Sequence, residues 1–201
     1  MNVIIISGPT GSGKTTLSNR ILNKFQNGIE LNTDNYYKVG LMSKVLSRIV
    51  DGFFDRKISF NYKLFKKDFN YICKNRKSDH IYTYNFINKT IKISYKKNIN
   101  IEYIIVEGIF TKDLLRDFKK HNCIFIELET NKESCMNRVI NRDLIERAKS
   151  KHLAENDFLK SWNIYYGKNY HSERFFTKLV YTQKTNIYKE IKKKLNLKTN
   201  I

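Results

Sequence analysis

Cysteine is scarce and poorly spaced for chemistry: Cys73, Cys123 and Cys135 are odd in number and include no CxxC pair. That pattern argues against a disulfide framework and points to reduced thiols in a cytoplasmic setting. The histidines His80, His121, His152 and His171 form no HExxH or other ligand pair, so no zinc site is expected. No apolar run approaches the roughly 18 residues that cross a bilayer. The chain opens on a strand pattern, which leaves no room for a signal peptide. It contains no internal repeat, linker or low-complexity block, and one domain is expected over residues 1–201. Acidic side chains are outnumbered, 19 against 38 basic ones, leaving a formal charge of +19. Such an excess suits a polyanion partner. Alanine, however, occurs only at Ala148 and Ala154, while Lys, Asn, Ile, Tyr and Phe abound, the bias of an AT-rich coding sequence. The basic residues are also spread along the chain and not clustered with aromatics, so a nucleic-acid partner is not expected.

What is present is concentrated first near the N-terminus. The apolar run Val3-Ile4-Ile5-Ile6 leads into Gly8, Pro9, Thr10, Gly11, Ser12, Gly13, Lys14 and Thr15, a complete GxxxxGK[ST] phosphate loop, and a helix-like stretch follows through Thr16. A buried strand delivering glycine-rich backbone to a helix N-terminus aims successive N–H groups at phosphate oxygens. Gly8, Gly11 and Gly13 permit the tight path, Lys14 brings an ammonium to the β and γ phosphates, and Thr15 offers a hydroxyl to Mg²⁺. ATP or GTP with Mg²⁺ is the expected cofactor.

Further buried strands are read at Ile29 to Thr33, Glu102 to Glu107, Cys123 to Leu128 and Lys178 to Thr182, with a first helix from about Lys14 to Asn27. Strands separated by helices imply right-handed crossovers and a parallel sheet with helices on both faces, an α/β fold of three layers. Ligands then sit at the carboxyl ends of the strands. Residues 81–95 carry two period-two stretches around Asn88-Lys89 and predict a projecting β-hairpin. A charged helix-and-loop region follows from Lys132 to about Lys151, with Arg138 and Arg142 one helical turn apart. Tyr188 to Leu195 reads as a short basic amphipathic helix.

Asp34-Asn35-Tyr36-Tyr37 after the second strand, Phe54-Asp55, Tyr84-Asn85-Phe86 in the hairpin, Glu107-Gly108 at a strand end, and Arg142-Asp143 with Arg147 accompany the loop. In order and spacing they closely resemble the uridine kinase family, from about Asn2 to Lys149. The resemblance implies a P-loop kinase fold with the hairpin over the acceptor site and a basic lid at about 138–155. It further implies phosphate transfer to the 5′-hydroxyl of uridine or cytidine, with Asp34 as general base. Lys14, Arg142 and Arg147 would act on the phosphates, Thr15 and Glu107 would hold the metal, and Tyr37, Asp55, Tyr84, Phe86, Glu107 and Lys149 would meet the acceptor. The chain departs from the family at Arg56-Lys57, where a His-Pro pair is usual, at Lys89 in place of a base-contacting His, and at Asn85, Ala148 and Lys149.

These departures leave other alcohol acceptors open, as in pantothenate kinases and phosphoribulokinases. Two rivals of another class share the phosphate loop. A tRNA prenyl-transferring enzyme would need an inserted helical portion for which 201 residues leave no space. A non-catalytic nucleotide-binding module would need no acceptor pocket. A small-molecule acceptor is the expected partner, with self-association possible in this kind of protein.

Overall fold

The computed structural model describes residues 1–167, 177–181 and 186–199. Strand β1 (Asn2–Ser7) passes through the phosphate loop into helix α1 (Lys14–Lys24) and then β2 (Gly28–Asn32). A 3-10 turn at Thr33–Tyr36, helix α2 (Leu41–Ile49), a second 3-10 turn at Phe53–Asp55 and helix α3 (Tyr62–Asn75) precede the hairpin of β3 (Ser78–Asn85) and β4 (Thr90–Asn98). Next come β5 (Tyr103–Glu107), a 3-10 helix at Thr111–Phe118, β6 (Asn122–Leu128), α4 (Lys132–Glu146), α5 (Lys151–Gly167), β7 (Thr177–Tyr181) and α6 (Ile187–Leu195).

Five strands form one parallel sheet in the order β2-β5-β1-β6-β7. Side chains alternate across a strand, and both faces of β1 are covered, which is why its sequence is apolar without interruption. Val3 and Ile5 join Phe65, Phe69, Phe110 and Phe118 on the face covered by α3 and the 3-10 helix. Ile4 and Ile6 join Leu17, Ile21, Ile187 and Ile191 on the face covered by α1 and α6. All four β1 side chains are fully buried. Each such burial stabilises by roughly 1.5–3 kcal/mol relative to exposure. The expected three-layer α/β architecture is the observed one.

Two elements differ from the sequence reading by more than one residue at a boundary. Helix α1 ends at Lys24 and not at Asn27. Phe25 turns extended to bridge Thr199, Gln26 N–H donates to Lys198 O, and Asn27 O accepts from Glu102, so tertiary pairing takes these residues out of the helix. The hairpin is longer than 81–95, because its paired register runs from Ser78↔Asn98 to Asn85↔Thr90. Its turn is closed by Asn85, whose Oδ1 accepts from the N–H groups of Ile87 and Asn88, and by Lys89 at φ 52°. The final strand ends at Tyr181; Thr182 lies outside the described residues.

Candidate active site

The carboxyl ends of β1, β2 and β5 converge on the phosphate loop. Gly11 (φ 75°) and Gly13 (φ 95°) take left-handed backbone conformations that favour glycine. A Cβ on Gly11 would strike the Cys135 carbonyl of α4, so the missing side chain also lets that helix close on the loop. Lys14 is buried, and its Nζ donates to Gly8 O at 3.1 Å and Pro9 O at 3.0 Å. Arg138 Nη1 donates to Gly11 O at 3.3 Å from the other side. Ser12, Gly13, Thr16 and Arg138 line a cavity of ≈ 570 Å³ with Thr130 and Tyr181, which adjoins the loop away from β2.

Parallel pairing of β1 with β5 sets Ile6 opposite Glu107, and pairing of β2 with β5 sets Asn32 opposite the same residue. Glu107 is 1% exposed, and its Oε1 accepts from Thr15 Oγ1 at 2.8 Å and Asn32 Nδ2 at 2.6 Å. Burial, reinforced by Asp34 and Glu30 and opposed by Lys14 and Thr15, pushes its carboxyl up to about 8. A hydroxyl and a carboxylate oxygen side by side are the hard donors that Mg²⁺ takes in small number, the rest of its shell being water and phosphate. Among the described residues no group of three or more His, Cys, Asp or Glu is gathered as a metal site. The chain's own ligands therefore fit Mg²⁺ held largely by its nucleotide, and not a cage built entirely of protein.

This raised carboxyl has a measurable sign. Its protonated form stabilises the metal-free fold fully below the unfolded value near 4.5, and that contribution is lost as pH rises through about 8. Metal-free protein is expected to lose melting temperature over that window, Glu107→Gln to flatten the loss, and added Mg²⁺ to restore wild type alone at pH 8.5. Parallel melting curves of the two proteins across pH would contradict the assignment.

Asp34 follows directly. Asn32 Oδ1, and not Asp34, caps the 3-10 turn, accepting the Asp34 N–H at 2.8 Å. The Asp34 carboxylate is thereby released from backbone duty; its Oδ1 is buried with no hydrogen-bond partner among the described residues. Gly108, at φ 127°, makes the approach possible, since a Cβ there would strike Thr33 Oγ1 and stand 3.2 Å from Asp34 Oδ1.

Asp34 lines a second cavity of ≈ 460 Å³ together with Thr10, Tyr37, Asp55, Phe86, Arg142 and Arg147. Its aromatic wall is built edge to face around Tyr37, with ring centres 5.3 Å from Phe54, 4.9 Å from Tyr84 and 5.8 Å from Phe86. Tyr84 is itself largely core: it is 5% exposed, and the hairpin is docked there by its N–H on Asn35 Oδ1 at 3.0 Å. Burial, then the Asp34 and Asp55 carboxylates, push the Tyr37 hydroxyl well above its usual range, against the pull of Arg147. The four groups thus surround one space.

Across it, Asp143 gathers the cations. Its carboxylate, 2% exposed, accepts from Arg142 Nε and Nη2 at 2.9 and 2.7 Å and from Lys149 Nζ at 3.0 Å, with Arg147 Nη1 at 3.4 Å. Burial pushes this carboxyl up, but Arg142, Arg147 and Lys149 outweigh it and hold it below its ordinary value. The chain reverses here between α4 and α5, with Ala148 at φ 51°, and Arg147 lies 3.8 Å over the Phe86 ring. The basic segment expected at 138–155 is the end of α4, this reversal and the start of α5.

Helix α5 supplies what the sequence reading missed. Asp157 Oδ2 holds Lys149 at 2.8 Å, Ser161 Oγ donates to Asp55 Oδ1 at 2.7 Å, and Tyr165 Oη meets Ser7 Oγ at 3.1 Å. Lys160 pairs with Asp51 at 2.6 Å. None of these residues belongs to a local motif. Asn32 could have been found, because an Asn two residues before Asp34 at a strand end is an Asx-turn signature.

A parallel sheet with a phosphate loop after its first strand, and carboxylates and arginines gathered at the strand ends, defines a P-loop kinase. A sequence model of the phosphoribulokinase / uridine kinase family matches residues 3–165, past Lys149 and into α5. The chain belongs to that family and is an ATP-dependent kinase. Over 158 residues it is 30% identical to a uridine kinase of Ureaplasma parvum, covering 74% of this chain and 72% of that one. Over 152 residues it is 30% identical to a uridine kinase of Borrelia hermsii, covering 75% and 71%. Among solved structures, a D-glycerate 3-kinase from Cryptococcus neoformans superposes with a TM-score of 0.62 at 12% identity, covering 89% of this chain and 84% of that one, a likeness of fold. No helix among the described residues is long and apolar enough to cross a membrane.

Proposed function

We propose that this kinase moves the γ-phosphate of ATP to the 5′-hydroxyl of a pyrimidine nucleoside, with Asp34 as general base. The observation that carries it is the Asp34 carboxylate, whose Oδ1 is buried and has no partner among the described residues, beside Gly108 in a cavity that also holds Arg142 and Arg147. The acceptor oxygen attacks the γ-phosphorus as its proton passes to Asp34, the bond to the β-phosphate oxygen breaks, and ADP leaves with that electron pair. Loop N–H groups and Lys14 bind the triphosphate, while Arg142 and Arg147 meet charge that spreads over the equatorial oxygens. Thr15 and Glu107 would hold Mg²⁺, which when bound neutralises the β and γ oxygens. Phe86 supplies a flat wall for the base, with Tyr37, 2% exposed, packed edge to face against it, and Asp55, steadied by Ser161, would accept from sugar hydroxyls.

The test is ATP consumption with uridine, cytidine, pantothenate and ribulose 5-phosphate offered in turn. A nucleoside signal supports the proposal, and turnover of pantothenate or the sugar phosphate alone overturns it. Lys14→Ala is expected to weaken triphosphate binding itself, read as a raised Kd, because its ammonium is the cation nearest the loop. Unchanged nucleotide affinity in that variant would remove Lys14 from the phosphate site.

A further inference from the structure

A third cavity, of ≈ 450 Å³, lies between α3 and the chain that leaves the 3-10 helix, and it shares no lining residue with the two at the strand ends. Phe65 and Phe69, one turn apart on α3, form its floor; their ring planes are 14° from parallel, and His121, directly before β6, meets Phe69 edge-on at 5.3 Å. Both phenylalanines are buried, so the edges they show to the cavity are a small apolar bed at the bottom of it. Tyr62 Oη donates to Asp117 Oδ1 at 2.7 Å and ties one wall to the other.

The rim is of one sign. Lys66 stands on α3, and Arg116, Lys119 and Lys120 stand on the opposite wall, against the single carboxylate of Asp117. Lys66 meets that carboxylate at 3.6 Å, whereas Lys120 is exposed and belongs to none of the ion pairs among the described residues. The fold thus gathers a basic rim and an aromatic floor that the sequence holds far apart. Like charges around a low-dielectric hollow focus a positive potential into it, and an anion seated there relieves their repulsion. The floor asks for something more than an anion, because a bare ion would leave the rings against water. We propose that this cavity is a binding site, separate from the catalytic cleft, for a small phosphate ester that carries a flat ring. The ring rests on Phe65 and Phe69 beside His121, the dianion takes charge-assisted bonds from Lys120 and its neighbours, and Asp117 is placed to accept from a ligand hydroxyl or N–H. Its volume lies in the range of small-molecule sites.

The experiment titrates the full chain, its phosphate loop saturated with Mg²⁺ and ADP, with phenyl phosphate, inorganic phosphate and phenol in turn. Binding is read by NMR at the His121 ring, whose signal is the one missing from His121→Gln. Phenyl phosphate is expected to shift that signal saturably, with a Kd lower than that of either fragment by roughly tenfold or more, since it alone meets both rim and floor. Lys120→Glu, at an exposed position away from the catalytic cleft, should raise that Kd by roughly 3- to 10-fold and leave the melting temperature and the KM for ATP at wild-type values. Lys120→Arg should keep the affinity. No saturable shift, a shift that inorganic phosphate matches, a shift lost once ADP fills the loop, or an affinity indifferent to Lys120→Glu overturns the site. A signal moved by an RNA oligonucleotide and not by phenyl phosphate would make the rim a nucleic-acid surface and overturns it as well.

Discussion

Asp34→Asn is expected to lower kcat by roughly 10²- to 10⁴-fold, the usual worth of general-base assistance, while triphosphate affinity stays at the wild-type value. The substitution is nearly isosteric, and the Asn32 cap on its backbone N–H survives it, so the 3-10 turn should keep its shape. What is lost is the basic oxygen. An amide cannot take the acceptor's proton, and the hydroxyl must then attack without help. The local field changes too, since the Asp34 charge acts on both Glu107 and Arg147. Nucleotide binding measured by titration separates these effects from general damage. Turnover within threefold of wild type would end the assignment, and so would a parallel loss of nucleotide affinity.

Removing the carboxylate of Asp143 should be costly in a different way. Three cations converge on a side chain that is 2% exposed, and taking away the anion leaves them facing one another. Breaking a buried pair typically costs about 3–5 kcal/mol; the cations here keep some water, which places Asp143→Ala near about 3 kcal/mol. For a chain of this length each kcal/mol moves the melting temperature by roughly 2–4 °C. The catalytic loss should exceed the loss of stability, because Arg142 and Arg147 would no longer be presented as a set. Acid tests the same pair. The depressed Asp143 carboxyl contributes stability above the ordinary Asp value of about 3.9, lost as pH falls through its lowered value in the fold. The Asn variant should therefore resist mild acid better, relative to its own neutral stability, than wild type does. Wild-type melting temperature and turnover in Asp143→Ala would show that the cations are held by something else.

Much of the framework was legible because its signals are local. The glycine spacing of Gly8, Gly11 and Gly13 is written in consecutive residues, and β1, β5 and β6 are apolar runs because both faces of the sheet are covered. Asp34 and Glu107 could be named from the resemblance because each ends or follows a recognisable strand, and Arg142 because it stands beside Asp143 with Arg147 close behind in sequence. What escaped depends on distance. The contact between Thr15 and Glu107 spans 92 positions and follows only from the pairing of β1 with β5. The role of Asp143 depends on the chain reversing at Ala148, and nothing around 143 announces that turn. The end of α1 was misread because Phe25 and Gln26 pair with residues near the far terminus. Ser161 and Tyr165 look like ordinary helix residues until the helix is laid across the site.

Asp157, Ser161 and Tyr165 fall four apart and so share one stripe of α5, gripping in turn Lys149, Asp55 and Ser7. A stiff rod with three handholds cannot let go of one without tilting at the others. The segment that carries the arginines, the loop that carries Asp55 and the strand that feeds the phosphate loop are therefore yoked, and a tug on any of them is shared by all three.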